Sequence, residues 1–202
     1  MRIIAGKYRR RKLHSNPGQT TRPITDFVKE VLFEWLGDTV KDKRVADIYA
    51  GTGSLGLEAL SRGAATVVFI EQDHKAHELL RRNVESIGAE ETTLCWKTNA
   101  LLSSFRPKNV PDFVPFSLIF LDPPYKMIED LKPGSRLYVS MERLAKEKVS
   151  SADCHLLLRT PRDAEFVCPP VWERYELLQK SSMDIHFMKK REIGSSEEQP
   201  AQ

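Results

Sequence analysis

The sequence predicts an α/β protein built on an open, mostly parallel sheet of seven strands with helices on both faces, and three observations predict it. Short apolar runs alternate with amphipathic helical stretches, a glycine turn joins the first of these runs to a helix, and the last two extended runs are separated by only a short turn. Parallel neighbours need a crossover, usually a helix, so the alternation implies a parallel sheet covered on both sides. Two extended runs joined by a short turn pair antiparallel, which places a hairpin at one edge.

The elements follow in order. From residue 1 to 24 the chain reads as a small hairpin or extended arm, with Ile3, Ile4 and Leu13 as its apolar residues and breaks at Gly6 and at Ser15-Asn16-Pro17-Gly18. The α/β domain is expected over 25–190. Val28, Val31, Leu32, Trp35 and Leu36 recur at helical spacing, Asp26 falls in the first turn and Gly37 is a stop signal, with Phe33 and Trp35 expected to face the core. Arg44 to Ala50 is a first strand, entering Gly51-Thr52-Gly53-Ser54-Leu55-Gly56 and then a helix to about Arg62. Thr66 to Ile70 is a second strand, and Ala76, Leu79, Leu80, Val84 and Ile87 mark the next helix. Three more strands are predicted at Thr92–Lys97, Phe116–Leu121 and Cys154–Arg159, with a helix over Leu137–Lys148. Tyr175–Lys180 and Met183–Met188 form the edge hairpin, and residues 191–202, polar and without period, are expected to be a disordered tail.

A chain of 202 residues with 41% hydrophobic content fits one such domain. The net charge of +3 is mild, but its distribution is uneven: Arg2, Lys7, Arg9, Arg10, Arg11, Lys12 and Arg22 precede the first acidic residue, Asp26. Such a strip, with Tyr8 interleaved, suits contact with RNA phosphates. The plainer account is a mobile, solubilising terminus. Cys95, Cys154 and Cys168 form no close pair, which excludes a disulfide framework and fits a reducing compartment. No run approaches the roughly 18 apolar residues of a membrane span and the first residues lack an apolar leader, so a soluble, cytoplasmic protein is expected, working as a monomer. His74 and His77 lack metal-ligand spacing, and no metal is expected.

Gly51, Gly53 and Gly56 make a tight turn at the carboxyl end of the first strand, where a ligand can approach backbone. Glu71 follows the second strand at the distance where a carboxylate accepts hydrogen bonds from an adenosine ribose. Together these point to an adenosine-containing ligand, either a dinucleotide or S-adenosylmethionine. Asp47 favours the latter: a carboxylate inside the first strand suits a ligand ammonium group and repels a pyrophosphate. Asp47 could instead cap the nearby helix, and Glu71 could be a solvated strand end.

Asp122, Pro123, Pro124 and Tyr125 follow the fourth strand and carry the chemistry. Two consecutive prolines have no N–H and stiffen the corner, leaving the Pro123 carbonyl and the Asp122 carboxylate as fixed acceptors in a corner without backbone donors. An aromatic amine is a poor nucleophile because its lone pair is delocalised into the ring. Two acceptors on its hydrogens draw that pair back onto nitrogen, and Tyr125 offers a face on which a base can stack. A stiff strand-to-loop turn with no chemistry is the plainer alternative.

With these motifs in place, the chain resembles the Rossmann-like class I S-adenosylmethionine methyltransferases, and within them the bacterial 16S rRNA guanine-N2 methyltransferases of the RsmD type. The likeness spans about Met1 to Met188 and is carried by Met1–Leu13, Arg22–Leu36, Asp47–Glu58 and the Asp122–Tyr125 corner. It implies methyl transfer to a guanine amine of 16S rRNA, with the corner holding the base, Glu71 the ribose, and Gln72, Asn99 and Ala100 near the cofactor. Two positions depart from that family: it usually has Asp at Asn99 and an acidic residue at Arg159. Two other readings remain, a DNA adenine-N6 methyltransferase and a non-catalytic RNA-binding or assembly protein that kept the fold.

Overall fold

The computed structural model describes residues 1–15 and 24–191. Arg22, most of the predicted polar turn and the tail from residue 192 lie outside the described residues.

Seven strands form one sheet in the order β3-β2-β1-β4-β5-β7-β6. They are β1 (Arg44–Ile48), β2 (Thr66–Glu71), β3 (Thr93–Lys97), β4 (Phe116–Leu121), β5 (Ser150–Pro161), β6 (Trp172–Lys180) and β7 (Met183–Lys190). Strands β1 to β5 pair in parallel, whereas β7 runs antiparallel to both β5 and β6. The predicted hairpin therefore inserts its second strand against β5 and leaves β6 at the edge. From β1 the chain winds outward through β2 to β3, then returns to β4 on the other side of β1. That reversal opens a crevice at the carboxyl ends of β1 and β4, where doubly wound sheets bind ligands.

Among the described residues five α-helices cover the sheet: α1 (Asp26–Leu36), α2 (Ser54–Ser61), α3 (His74–Ile87), α4 (Tyr125–Glu129) and α5 (Arg136–Leu144). Three start with a side-chain cap, in which Thr25, Asp73 and Ser135 accept from the backbone N–H groups of Val28, Ala76 and Tyr138. Alternation along the strands sorts the core into two layers. Val45, Val67, Phe69, Leu118, Phe120 and Leu157 pack against α1, α2 and α3; Ala46, Ile48, Val68, Ile119, Leu156 and Leu158 pack against α4 and α5.

The N-terminal segment is part of the first layer. Ile3 is fully buried and Leu13 nearly so, and Arg2 bridges to Lys12 across a small antiparallel turn. The Glu58 carboxylate on α2 accepts from Ile4 N and Ala5 N at 2.7 and 3.1 Å, and it lies 3.4 Å from Lys29 Nζ on α1. Arg62 adds a 2.8 Å contact to the same carboxylate. Lys29 and Glu58 have fully buried side chains, so deleting Glu58 is expected to cost about 3–5 kcal/mol through the uncompensated Lys29 charge left behind, whereas Glu58 keeps Arg62 if Lys29 is removed.

Three sequence expectations need correction. Trp35 is not buried in the core: 42% exposed, it covers the β6–β7 hairpin, with its ring centroid 3.9 Å from that of Phe187 and 6.0 Å from that of Tyr175. Phe33 is buried as expected, and Lys29, disguised by its charge, is buried beside Val28, Leu32 and Leu36. The fifth strand is twice its predicted length, because register with β4 begins at Ser150 and β7 pairs as far as Pro161, and this cuts α5 short at Leu144. The short helix α4 was not foreseen; it starts directly behind Pro124.

Candidate active site

A cavity of about 260 Å³ opens at the carboxyl ends of β1, β2, β4 and β5. Asp47, Gly51, Glu71, Gln72, Asp122 and Pro124, all singled out from sequence, contribute to its lining. Gly53, Gly56, Asn99, Ala100, Pro123 and Tyr125 do not. Tyr49, Ser54 and Arg159 line it without having been predicted as site residues.

The glycines divide by task. Gly51 has φ +56° and open space where a Cβ would stand, so its backbone faces the cavity. A Cβ on Gly56 would lie 2.3 Å from the Phe69 ring, and one on Gly53 would lie 2.5 Å from Leu80. Those two are glycine because α2 packs tightly on β2 and α3, and close ligand approach does not explain them. Tyr49 takes φ +63°, a left-handed conformation costly for a side chain of that size, as the chain turns out of β1 into the glycine loop. Its hydroxyl reaches Met127 Sδ on α4 at 3.5 Å, tying the glycine loop to the segment behind Pro124.

Glu71, at the end of β2, accepts from Gly51 N at 2.8 Å through Oε2 and from Asp73 N at 2.7 Å through Oε1. Each oxygen has a second lone pair, so the carboxylate braces the loop and still has capacity for hydroxyl donors. Asp47 performs the capping expected as its plainer account: Oδ2 accepts from Gly56 N at 2.8 Å, supplying the side-chain cap that Gly53 cannot. It also lines the cavity, so capping and ligand contact are compatible. Burial pushes its carboxyl up to about 8, and the nearby Asp122 and Glu71 charges add to that. Asn99 uses Oδ1 to accept from Leu101 N, and the Ala100 carbonyl accepts from Ser140, so both serve the turn after β3.

The Asp122 corner follows β4, and its N–H donates to the Ile48 carbonyl at 3.2 Å. Its side chain is 18% exposed, and Oδ1 lies 2.6 Å from Arg159 Nε. The two side chains form a short, largely buried ion pair. Burial raises the Asp122 carboxyl above the ordinary carboxylate range, and the Arg159 guanidinium pulls it back down. The corner was expected to be free of donors; its two prolines supply none and the Asp122 N–H is taken up by Ile48, but β5 delivers a cation into it. One signal for this lay in the sequence: Arg159 ends an apolar run, two positions after Leu157 and so on the same face of the strand. Pro124 starts α4 and its carbonyl accepts from Met127 N. The Tyr125 ring is half-buried, with its hydroxyl turned inside.

The basic strip is displayed on an ordered turn. Lys7, Arg9, Arg10, Arg11 and Lys12 are exposed, whereas Tyr8 is half-buried against the first core layer with Lys7 Nζ 5.0 Å from its ring centre. Met1 and Ile24 reach the cavity wall. Among the described residues no group of acidic, His and Cys side chains could hold a metal ion, the three cysteines are unpaired, and no helix is long and apolar enough to cross a membrane.

Comparison with known proteins agrees with this architecture. Over 156 residues the chain is 36% identical to the ribosomal RNA small subunit methyltransferase D of Haemophilus influenzae, covering 71% of this chain and 79% of that one. The Escherichia coli protein of the same name is 38% identical over 126 residues, 62% of this chain and 61% of its own length. An E. coli structure described as a presumed methyltransferase superposes with a TM-score of 0.75 at 28% identity, covering 94% of this chain and 97% of that one. A Salinibacter ruber RNA methyltransferase in complex with S-adenosyl-L-homocysteine, 14% identical, shares the fold with a TM-score of 0.60, covering 87% of this chain and 98% of that one. The model of the family described as Conserved hypothetical protein 95 matches residues 1–187 of the 202, and the chain belongs to that family.

Proposed function

We propose that this protein transfers a methyl group from S-adenosylmethionine to an exocyclic amino nitrogen in small-subunit ribosomal RNA, and that the nitrogen is guanine N2. The observation that carries the reading is the convergence of Glu71, Asp47 and the glycine loop with the Asp122 corner in one cavity. The relatives' names support an rRNA substrate, and the exposed basic strip of the N-terminal turn supports a polyanionic one.

The residues fit the cofactor. Glu71 keeps lone pairs for the ribose hydroxyls, the open backbone of Gly51 permits close approach, and Asp47 faces the place of a ligand ammonium group. When bound, S-adenosylmethionine supplies an electrophilic methyl group on a sulfonium. The remaining work belongs to the chain. Asp122 and the Pro123 carbonyl accept from the two N–H bonds of the amine, localise its lone pair and aim it. Tyr125 stacks on the base, a contact worth about 1–3 kcal/mol by analogy with other base–aromatic pairs. Holding both reactants in line replaces a bimolecular encounter with an oriented one, the main source of rate where no covalent enzyme intermediate forms. The nitrogen sheds one proton after transfer, for which Asp122 is the nearby acceptor.

Incubation with labelled S-adenosylmethionine and either 30S particles or naked 16S rRNA, followed by mass mapping of the nucleosides, tests the reading. N2-methylguanosine at one position is expected. Absence of base methylation in both substrates would refute it, and N6-methyladenosine in a DNA control would transfer the assignment to the DNA-modifying alternative.

A further inference from the structure

We propose that Arg159 is a positioning residue for the transfer: its guanidinium clamps Oδ1 of Asp122, so that the carboxylate meets the base amine with Oδ2. The inference rests on the function proposed above and deepens it.

Strand register brings the two residues together. Leu121 of β4 pairs with Leu158 of β5, so the residues that follow, Asp122 and Arg159, emerge side by side at the carboxyl edge. Nε and Oδ1 are 2.6 Å apart, the arginine side chain is 8% exposed, and both residues line the cavity. Four carboxylates line that cavity, Asp47, Glu71, Asp73 and Asp122, and among the described residues Arg159 is the cationic side chain that joins them. Asp47 and Glu71 are served by backbone N–H groups. Asp122, in a corner whose prolines supply none, takes the arginine.

A carboxylate in that setting has two ways to fail. It can rotate, losing the direction in which it accepts, or it can take up a proton and present an O–H where an acceptor is needed. A guanidinium on one oxygen opposes both, since its planar donors favour a fixed carboxylate plane and its charge favours ionisation. The charged groups that share the cavity with Asp122 are Asp47 from β1, Glu71 from β2 and Asp73 behind it, and Arg159 from β5; burial raises the proton affinity of Asp122 and Arg159 lowers it, while the Asp122 and Glu71 charges raise that of Asp47. Beyond Arg159 the register partner on β7 is Ile185; His186, paired with Leu158 and bonded to Thr160, belongs to the opposite face.

The test compares Arg159→Gln and Arg159→Lys with the parent protein in methyl transfer to rRNA from pH 5.5 to 9, with calorimetry of S-adenosylmethionine binding alongside. Arg159→Gln is expected to lower kcat at pH 7 by about tenfold or more and to move the acid limb upward by about one pH unit, with KM and cofactor affinity near the parent values. Arg159→Lys keeps the charge and should restore the limb and much of the rate. An unchanged profile for Arg159→Gln, a faster enzyme, or a loss of rate with no shift of the limb and no rescue by lysine would each overturn the clamp. Titration of the Asp122 carboxyl by 13C NMR in parent and Arg159→Gln reads the same clamp without turnover, and an upward shift in the variant is expected. A parent protein that methylates no rRNA defeats the functional reading, whereas an active parent with an indifferent Arg159→Gln defeats this inference alone.

Discussion

Glu71 and Asp47 on one side of the cavity and Asp122 on the other are all carboxylates, yet they are held by different means. On the β1–β2 side the partners are backbone N–H groups of Gly51, Asp73 and Gly56, all within the glycine loop, α2 and the turn into α3. On the β4–β5 side the partner is the side chain of Arg159, 37 positions further along the chain than Asp122. Backbone donors are neutral and fixed, which suits a site that binds one ligand in one pose. A side-chain cation sets both charge and direction, which suits a group that must present an unprotonated acceptor to a nucleophile. Under the proposed function, the difference separates the half assigned to binding from the half assigned to transfer.

The largest effect that can break this division is expected for Asp122→Ala. Methyl transfer should fall by at least about 100-fold while S-adenosylmethionine binding stays within a few-fold, because an oriented acceptor typically contributes at least that much to a transfer step. Single-turnover assays with calorimetry measure both, and retained turnover would remove the carboxylate from the mechanism. On the binding side, Glu71→Ala should weaken cofactor affinity by about 10–100-fold, matching about 1.5–3 kcal/mol for charged hydrogen bonds, with less loss in kcat at saturation. If instead kcat collapsed at saturating cofactor, the two halves would not be separable.

The basic turn belongs to neither half and sharpens the picture from outside. Replacing Arg9, Arg10 and Arg11 by Ser should weaken rRNA binding and reduce the slope of log K against log salt by about 2–3 if each arginine neutralises one phosphate. Cofactor affinity should not change, and an unaltered salt slope in filter binding would leave the turn without a role in RNA contact.

The smallest effect concerns Asp47. Its folded-state proton affinity is raised from the ordinary 3.8 to about 8, so its contribution favours folding below the ordinary value and is lost as pH rises through 8. Asp47→Asn keeps an oxygen for Gly56 N and removes the charge. A Tm higher than the parent's by about 2–4 °C at pH 8, corresponding to about 1 kcal/mol, is expected in thermal melts, with little difference at pH 4. Cofactor binding should weaken in the same variant, and unchanged affinity would assign Asp47 to capping alone.

The binding half was legible in the sequence because its interactions are local: Asp47, the glycines and Glu71 span 25 residues, and a strand–turn–helix–strand pattern fixes where they meet. Even there the pattern misattributed Gly53 and Gly56, whose missing Cβ atoms make room for Leu80 and Phe69, contacts no spacing rule encodes. The transfer half was half legible. The Asp122 corner stood out by composition, but its partner did not, since a charged residue ending an apolar run is as consistent with solvent as with a buried pair.

The same contrast separates fold from site in this protein. Alternating apolar runs and their helical or extended period determined the α/β class, the edge hairpin and the carboxyl-edge location of the motifs, because burial acts on every residue of a repeating pattern. Tertiary structure decided what depends on register and close approach: the burial of Lys29 against Glu58, the docking of the first 13 residues through Ile3 and Leu13, and the contact between Arg159 and Asp122. Each brings together atoms distant in sequence to within hydrogen-bond or contact range, and only a packed sheet fixes distances at that scale.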